Sequence, residues 1–235
     1  MSSAASVSDG QPWPDRVPWR AHVGVEAARI DAHWRHLDAA ERLRAARFRT
    51  AADRLRFVVA RSGLRQLLGR RLGLPAHAVA FASNAFGKPL LRDAPQTLHF
   101  NISHSGDWVL IALDATAPIG IDVEAIRPEL ACLDDYDSVL SAQELQLLRA
   151  LPPAQRAAAF ARLWVRKEAY AKALGEGLNL SLRDVDVGVD ALPTRPPGGA
   201  DRTPAQTPEG WCFEDVPLDA QHVACLVRRN DVTAV

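Results

Sequence analysis

Two carboxylates placed two residues apart, Asp122 and Glu124 in the run Gly120-Ile121-Asp122-Val123-Glu124, are where this sequence first offers chemistry. Side chains alternate across an extended chain, so these acids share one side while Ile121 and Val123 face the other. Acids about 7 Å apart along a strand repel unless a cation or a shared proton lies between them. Oxygens of this kind suit a hard ion such as Mg²⁺, which usually keeps positions for water and substrate phosphate. A phosphate-bearing substrate is the first implication.

Other residues fit that chemistry without requiring it. Trp164, Glu168 and Lys172 recur at i, i+4 and i+8, so they fall on roughly one helical face. The Glu168–Lys172 spacing is that of an ordinary surface ion pair. It would equally bring a third carboxylate to Asp122 and Glu124 and leave Lys172 for a phosphate, and spacing alone does not choose. Lys88 sits between Gly87 and Pro89, two backbone-restricting residues that position it better than a helix surface would. His104 lies in Asn101-Ile102-Ser103-His104-Ser105-Gly106, read as a tight turn. Ser103 beside it suggests a nucleophile, but neighbours in an extended segment point apart, and no Gly-x-Ser-x-Gly elbow is present. A hydrolase triad is the poorer reading. Arg54, Arg56, Arg61, Arg65, Arg70 and Arg71 crowd one helix, either as a solvated basic face or with one or two receiving an anion. Glu144, three residues after Ser141, has the spacing of a helix cap.

The elements that would position these groups follow from the same residues. Val23 to Ala32 reads as an edge strand running into a turn. Asp38 with Glu41 marks a helix start, and Thr50 caps a second helix whose apolar stripe includes Leu55, Val58, Val59, Leu67, Leu68 and Leu72 before Gly73 and Pro75 end it. Residues 79–83 read as a short strand and Trp108 to Leu113 as a buried one. Pro152 and Pro153 introduce a helix from Ala154 to Leu174, closed by Gly175. Leu182 to Val189 reads as a strand, and Trp211–Val216 with His222–Val227 as an antiparallel hairpin. Each half places helices beside short strands and finishes on an apolar strand, which suggests an internal duplication. Residues 1–20 read as a flexible arm that Trp13 and Trp19 could anchor, and 191–209 as a long Pro/Gly-rich loop.

Composition removes several function classes. At 235 residues the chain can bury a substantial core, and its 28 basic and 28 acidic residues balance, so no global field favours nucleic acid or a membrane surface. No apolar run nears the roughly 20 residues of a membrane span. Cys132, Cys212 and Cys225 are scattered, with no CxxC spacing, which points away from a disulfide framework or zinc site and towards a reducing compartment. The first 15 residues lack the basic and apolar regions of a signal peptide. A cytoplasmic protein is the expectation.

Taken together, Phe86-Gly87-Lys88-Pro89, Phe100 to Gly106, Ile119 to Glu124 and Leu163 to Lys172 resemble, in order and spacing, the 4′-phosphopantetheinyl transferases, in particular the Sfp type. The resemblance spans residues 40–182 and, loosely, the C-terminal hairpin. It does not reach the first 35 residues or the 191–209 loop. It implies an α+β fold: a pseudo-dimer of two similar subdomains, 21–117 and 118–235, each a small, mostly antiparallel sheet packed against helices, with the active site in the cleft between them. It further implies transfer of the phosphopantetheine arm of coenzyme A to a serine of an apo acyl or peptidyl carrier protein, with Mg²⁺, releasing 3′,5′-ADP from an internally paired monomer. Carried over by motif, Asp122, Glu124 and Glu168 would hold the metal. Lys172 and His104 would meet the pyrophosphate, and Arg56, Lys88 and Ser103 would join them in binding coenzyme A. Glu168 would take the serine proton. Ala51 and Ala52 stand where the family often offers further basic residues, so Arg54 or Arg56 would carry more of the 3′-phosphate contact. Glu144 aligns with an acidic position whose role stays open. Two other classes use overlapping groups: a coenzyme A or nucleotide-binding module without transfer activity, and a metal-dependent pyrophosphate hydrolase.

Overall fold

A computed structural model describes residues 14–85, 88–92, 98–131, 136–175, 180–188 and 207–230. Most of the 1–20 and 191–209 stretches, Phe86-Gly87 and Cys132 therefore lie outside the described residues. The chain separates into two compact units, Met1–Ile119 and Gly120–Val235.

The first unit begins with strand β1 (Trp19–His22), then helices α1 (Val23–Glu26), α2 (Ile30–His36), α3 (Ala39–Ala46) and the 22-residue α4 (Ala51–Leu72). Strand β1 takes in Trp19, which is buried. The edge strand expected over Val23 to Ala32 is not formed; that stretch is helical. Glu26 and His33 are seven residues apart and meet only because the chain coils. Glu26 Oε2 lies 2.9 Å from His33 Nε2, and His33 Nδ1 lies 2.8 Å from Ser62 Oγ on α4. The caps expected for the next two helices are both present. The Asp38 side chain accepts from the Glu41 backbone N–H at 2.8 Å and Glu41 reaches back to the Asp38 N–H, while Thr50 accepts from Asp53 N–H at 3.0 Å.

After α4 come two short strands, β2 (Phe81–Ser83) and β3 (Pro89–Leu91), paired antiparallel, then β4 (His99–Ser105) and β5 (Trp108–Asp114). Strand β5 is central in a three-stranded sheet ordered β1-β5-β4, antiparallel to both neighbours. The tight turn expected around His104 lies two residues further on. Asn101 to Ser105 are strand, and the chain reverses at Gly106-Asp107, where Gly106 has φ of 53°. The core beneath this sheet joins Trp19, Val59, Leu64, Leu67 and Leu68 to Phe100, Val109, Ile111 and Leu113. Burying that apolar face is the main source of stability here.

Helix α4 also carries the arginines, and for two of them the expected choice between solvated face and anion site is overturned. Arg65 is fully buried, paired to Asp38 and to Glu41 (2.5 Å), and donates to the Val79 carbonyl at 2.8 Å. Arg61 pairs with the other Glu41 oxygen at 2.5 Å. They are internal fasteners that tie α3 and the 76–79 turn to α4.

In the second unit, β6 (Ile119–Ala125) is hydrogen-bonded to β8, and β8 to β7, with β7 (Trp211–Asp215) and β8 (His222–Arg229) forming the expected antiparallel hairpin. Helices α5 (Ala142–Ala150) and α6 (Pro153–Leu174, again 22 residues) precede it in the chain. Pro153 occupies the first helical turn and Gly175, with φ of 80°, ends α6. Val165, Ala169 and Ala173 pack with Trp211, Cys225 and Val227; Phe160 and Leu163 pack with Leu145, Leu148, Val185 and Val187. The architecture is α+β, small antiparallel sheets packed against helices. No strand forms over Leu182 to Gly188, contrary to expectation. The carbonyls of Leu182 and Val185 accept from Lys167 Nζ, at 2.8 and 2.5 Å, and that of Val187 accepts from Arg166 at 3.1 Å, so they are committed to α6 instead of a ladder. No helix among the described residues is long and apolar enough to cross a membrane.

Candidate functional site

The site in the second unit is built by a backbone contact. A Cβ placed on Gly120 would lie 1.9 Å from the Ala169 carbonyl oxygen and 2.6 Å from the Ala173 nitrogen, so only glycine lets β6 and α6 approach this closely. That approach sets Asp122, two residues along the strand, against the α6 turn carrying Glu168 and Lys172. Lys172 Nζ donates to Asp122 Oδ1 at 2.5 Å. The Asp122 side chain is 5% exposed and that of Lys172 28%, so the acid is desolvated while the ammonium keeps a path to water.

Glu168 completes the group. Burial pushes its carboxyl above the usual range; the Lys172 ammonium opposes this, and the Asp122 and Glu124 carboxylates reinforce it. Its Oε1 is buried and has no hydrogen-bond partner among the described residues. Glu124 is half-buried, with Arg127 Nη2 3.7 Å from its Oε2. Among the described residues no three His, Cys, Asp or Glu side chains converge closely enough to hold a metal ion as they stand. The donor set suits a hard divalent cation in kind: carboxylate oxygens, one of them buried without a partner, with an ammonium already standing among them as a cation. Trp164, one turn before Glu168, borders a cavity of about 390 Å³ lined also by Glu124, Arg127, Tyr136, Val139, Phe160 and Ala161.

Glu144 proves structural. Its side chain caps α5 by accepting from the Ser141 N–H at 2.8 Å, and the same oxygen lies 2.9 Å from Lys167 Nζ. Both side chains are fully buried, and with the Leu182 and Val185 carbonyls Glu144 supplies acceptors for all three ammonium protons of Lys167. Sequence reasoning missed Lys167, although a signal existed: with Leu163 and Ala171 it occupies i, i+4 and i+8 on the buried face.

The remaining expected residues belong to the first unit. His104 is exposed near the end of β4 and Ser103, its neighbour, is buried, so the two point apart as the strand requires. Arg56 donates from Nη1 to the Gly106 carbonyl at 3.1 Å and pairs with Asp53, whose carboxyl is held below its usual range by hydrogen bonds from Thr50 and Arg56, with the Arg56 and His104 charges adding. Arg56 and His104 thus both act on Asp53, with Arg56 also holding the β4–β5 turn. Lys88 is placed differently. Burial pushes its ammonium down to about 8, and its charge helps burial hold His99, at the start of β4, below the usual histidine range.

Two family models match the chain. One described as the 4′-phosphopantetheinyl transferase superfamily covers residues 118–227, and one described as 4′-phosphopantetheinyl transferase, N-terminal, covers 26–116. Among curated relatives, the 4′-phosphopantetheinyl transferase HetI of a Nostoc species is 34% identical over 214 residues, which is 88% of this chain and 85% of that protein. The transferase psf-1 of Bacillus pumilus is 38% identical over 60% of this chain and 59% of its own length, and Sfp of Bacillus subtilis is 36% identical over 53% and 54%.

Proposed function

The chain belongs to the 4′-phosphopantetheinyl transferase superfamily, and we propose that it moves the 4′-phosphopantetheine arm of coenzyme A onto a serine of an apo carrier protein. The observation that carries this reading is the Asp122–Lys172 contact beside Glu168, a compact set of fixed charges of both signs suited to a diphosphate reaction. The serine oxygen bonds to the phosphorus bearing the pantetheine arm, the bond from that phosphorus to the bridging diphosphate oxygen breaks, and 3′,5′-ADP leaves. Glu168 takes the serine proton, directly or through a water, because its buried Oε1 has no other partner among the described residues. Lys172 and His104 offer positive charge or hydrogen bonds to the diphosphate oxygens.

Asp122, Glu124 and Glu168 are the residues we propose to hold Mg²⁺. Bound there, the ion would offset negative charge that grows on the departing phosphate. In the first unit, Arg56, Lys88, Ser103 and His104 are the groups we propose for coenzyme A. The two units read as one α+β plan repeated, corresponding to subdomains 21–117 and 118–235; support comes from separate family matches to each half and from a 22-residue helix and a three-stranded sheet in each.

The test is release of 3′,5′-ADP from coenzyme A with and without an apo carrier protein. Release that needs the carrier fits transfer. Release without it would instead make the chain a hydrolase, and coenzyme A binding with no release would make it a binding module. Glu168→Gln is expected to lower kcat by at least ~10²-fold while changing coenzyme A affinity little. Equal loss of both would remove the base role.

A further inference from the structure

We infer that His36, Ser62, His33 and Glu26 form a proton relay inside the first unit, which stores one proton from solvent and frees helix α2 from α4 when a second arrives. The relay takes no part in the transfer chemistry and does not depend on it.

Its groups come from three helices. Ser62 on α4 is fully buried, and its Oγ accepts from Gln66 Nε2 at 3.1 Å. The same oxygen lies 2.8 Å from His33 Nδ1 and 2.9 Å from His36 Nδ1, both on α2. On the far side of His33, Nε2 lies 2.9 Å from Glu26 Oε2 on α1, with the two side chains only 8% and 11% exposed. His36 ends α2 and is half-buried, so its ring is the end that meets water. Burial holds His36 below the ordinary histidine range, with the charges of His33 and Arg35 on α2 and His77 on the 76–78 turn adding. Glu26 is the one acid bonded to either ring among the described residues.

Counting hydrogens fixes the states this cluster can take. A hydroxyl has one O–H and two lone pairs, and Gln66 fills one pair. One histidine can therefore donate to Ser62, and the other must accept its O–H. The Glu26 carboxylate needs a hydrogen from His33 Nε2, so with both rings neutral His33 Nδ1 accepts from Ser62 and His36 Nδ1–H donates to it. A proton taken up at His36 Nε2 lets the Nδ1 hydrogen pass to Ser62 while the Ser62 hydrogen passes to His33. His36 ends neutral with its hydrogen moved to Nε2, and the charge rests on His33 against Glu26, where a buried cation has its counter-ion. A second proton has no such place. Three N–H donors would meet two lone pairs, and the Ser62 O–H would lose its acceptor. Turning the Gln66 amide over restores the count but leaves two positive rings on one oxygen with one carboxylate to answer them. Swinging the His36 end of α2 away from Ser62 relieves both faults.

The test is nuclear magnetic resonance of the full chain carrying ¹⁵N-histidine, taken from about pH 8 to about pH 5, the range over which histidine changes charge. Ring nitrogen shifts report tautomer and charge, and His33→Gln and His36→Gln assign the signals. In the parent, His36 should pass from Nδ1–H to Nε2–H at the same midpoint at which His33 becomes imidazolium. Charging of His36 should follow at lower pH, together with an at least tenfold fall in hydrogen-exchange protection of the α2 amides. Ser62→Ala should abolish the tautomer change and let the two rings titrate independently. Glu26→Gln, which serves if that variant is poorly folded, should lower the midpoint of the coupled step by at least about one pH unit. A His36 that keeps Nδ1–H while His33 charges would overturn the relay, as would titrations unchanged in the variants. Full α2 protection with both rings charged would overturn the release.

Discussion

Gly120→Ala should damage this protein in two separable ways. The added Cβ would sit 1.9 Å from the Ala169 carbonyl oxygen, whereas carbon–oxygen contacts settle at roughly 3.3 Å or more, so β6 and α6 must part by about 1.4 Å. The blocking atoms are helix backbone, which cannot rotate out of the way. Overpacking of this kind typically costs 1–3 kcal/mol, and a contact this severe belongs near ~3 kcal/mol. For a chain of this length that lowers the unfolding midpoint by roughly 6–12 °C. If α6 moves as a body, the Lys172–Asp122 separation grows from 2.5 Å to about 3.9 Å, beyond hydrogen-bonding reach. Misplacement of about 1 Å can cost ~10²-fold in rate, so transfer should fall by that order at temperatures where the variant is folded. Gly73→Ala is the control: φ there is 68° with nothing within 4 Å of an added Cβ, so it should cost about 1 kcal/mol through backbone strain and leave the transfer rate unchanged. Thermal unfolding and carrier-loading kinetics on the two variants read both effects. A Gly120→Ala protein as stable and as active as the parent would refute the role given to this contact.

The buried pair Glu144–Lys167 should show the asymmetry of internal charges: Lys167→Met alone costs about 3–5 kcal/mol, and adding Glu144→Gln recovers much of it. Urea unfolding that showed less than ~1 kcal/mol for the single variant would contradict this. Lys88, pushed down to about 8 by burial, is charged below that pH and neutral above it, so coenzyme A affinity measured calorimetrically should fall as pH rises through about 8. Lys88→Arg should flatten that fall; identical profiles would remove Lys88 from the anion site. His36 is held below its ordinary 6.5 by burial and by His33, Arg35 and His77. The unfolded chain takes up the proton first as pH drops, so its contribution is present above about 6.5 and lost below it. His99 is lowered in the same sense, so His36→Gln should remove part, not all, of the fall in unfolding midpoint between about pH 7 and 5.5. No difference between His36→Gln and the parent over that window would overturn it.

Local chemistry was readable in advance and tertiary commitment was not. The Asp38–Glu41 and Ser141–Glu144 boxes, the Pro153 start and the Gly175 stop are short-range hydrogen-bond and backbone effects, and each formed where its residues stand. The Glu168–Lys172 spacing was legible too, but only the close approach at Gly120 could decide that Lys172 meets Asp122. Arg65 and Lys167 defeated composition because charged residues are rarely buried; their partners come from distant segments, Asp38 and Glu41 in one case and Glu144 in the other. Leu182 to Val189 misled for the same reason. Its apolar alternation was strand-like, yet Arg166 and Lys167 tie the Leu182, Val185 and Val187 carbonyls to α6, a long-range attachment that alternation does not reveal.

The most direct test of the central claim is intact-protein mass spectrometry of an apo carrier protein incubated with this chain, coenzyme A and Mg²⁺. The parent chain should add one phosphopantetheine arm to the carrier, and Asp122→Ala or omission of the metal should abolish the gain. An unchanged carrier mass across fatty acid, polyketide and peptide carriers, with coenzyme A still bound, would contradict the transferase assignment. A full gain with Asp122→Ala would contradict the site.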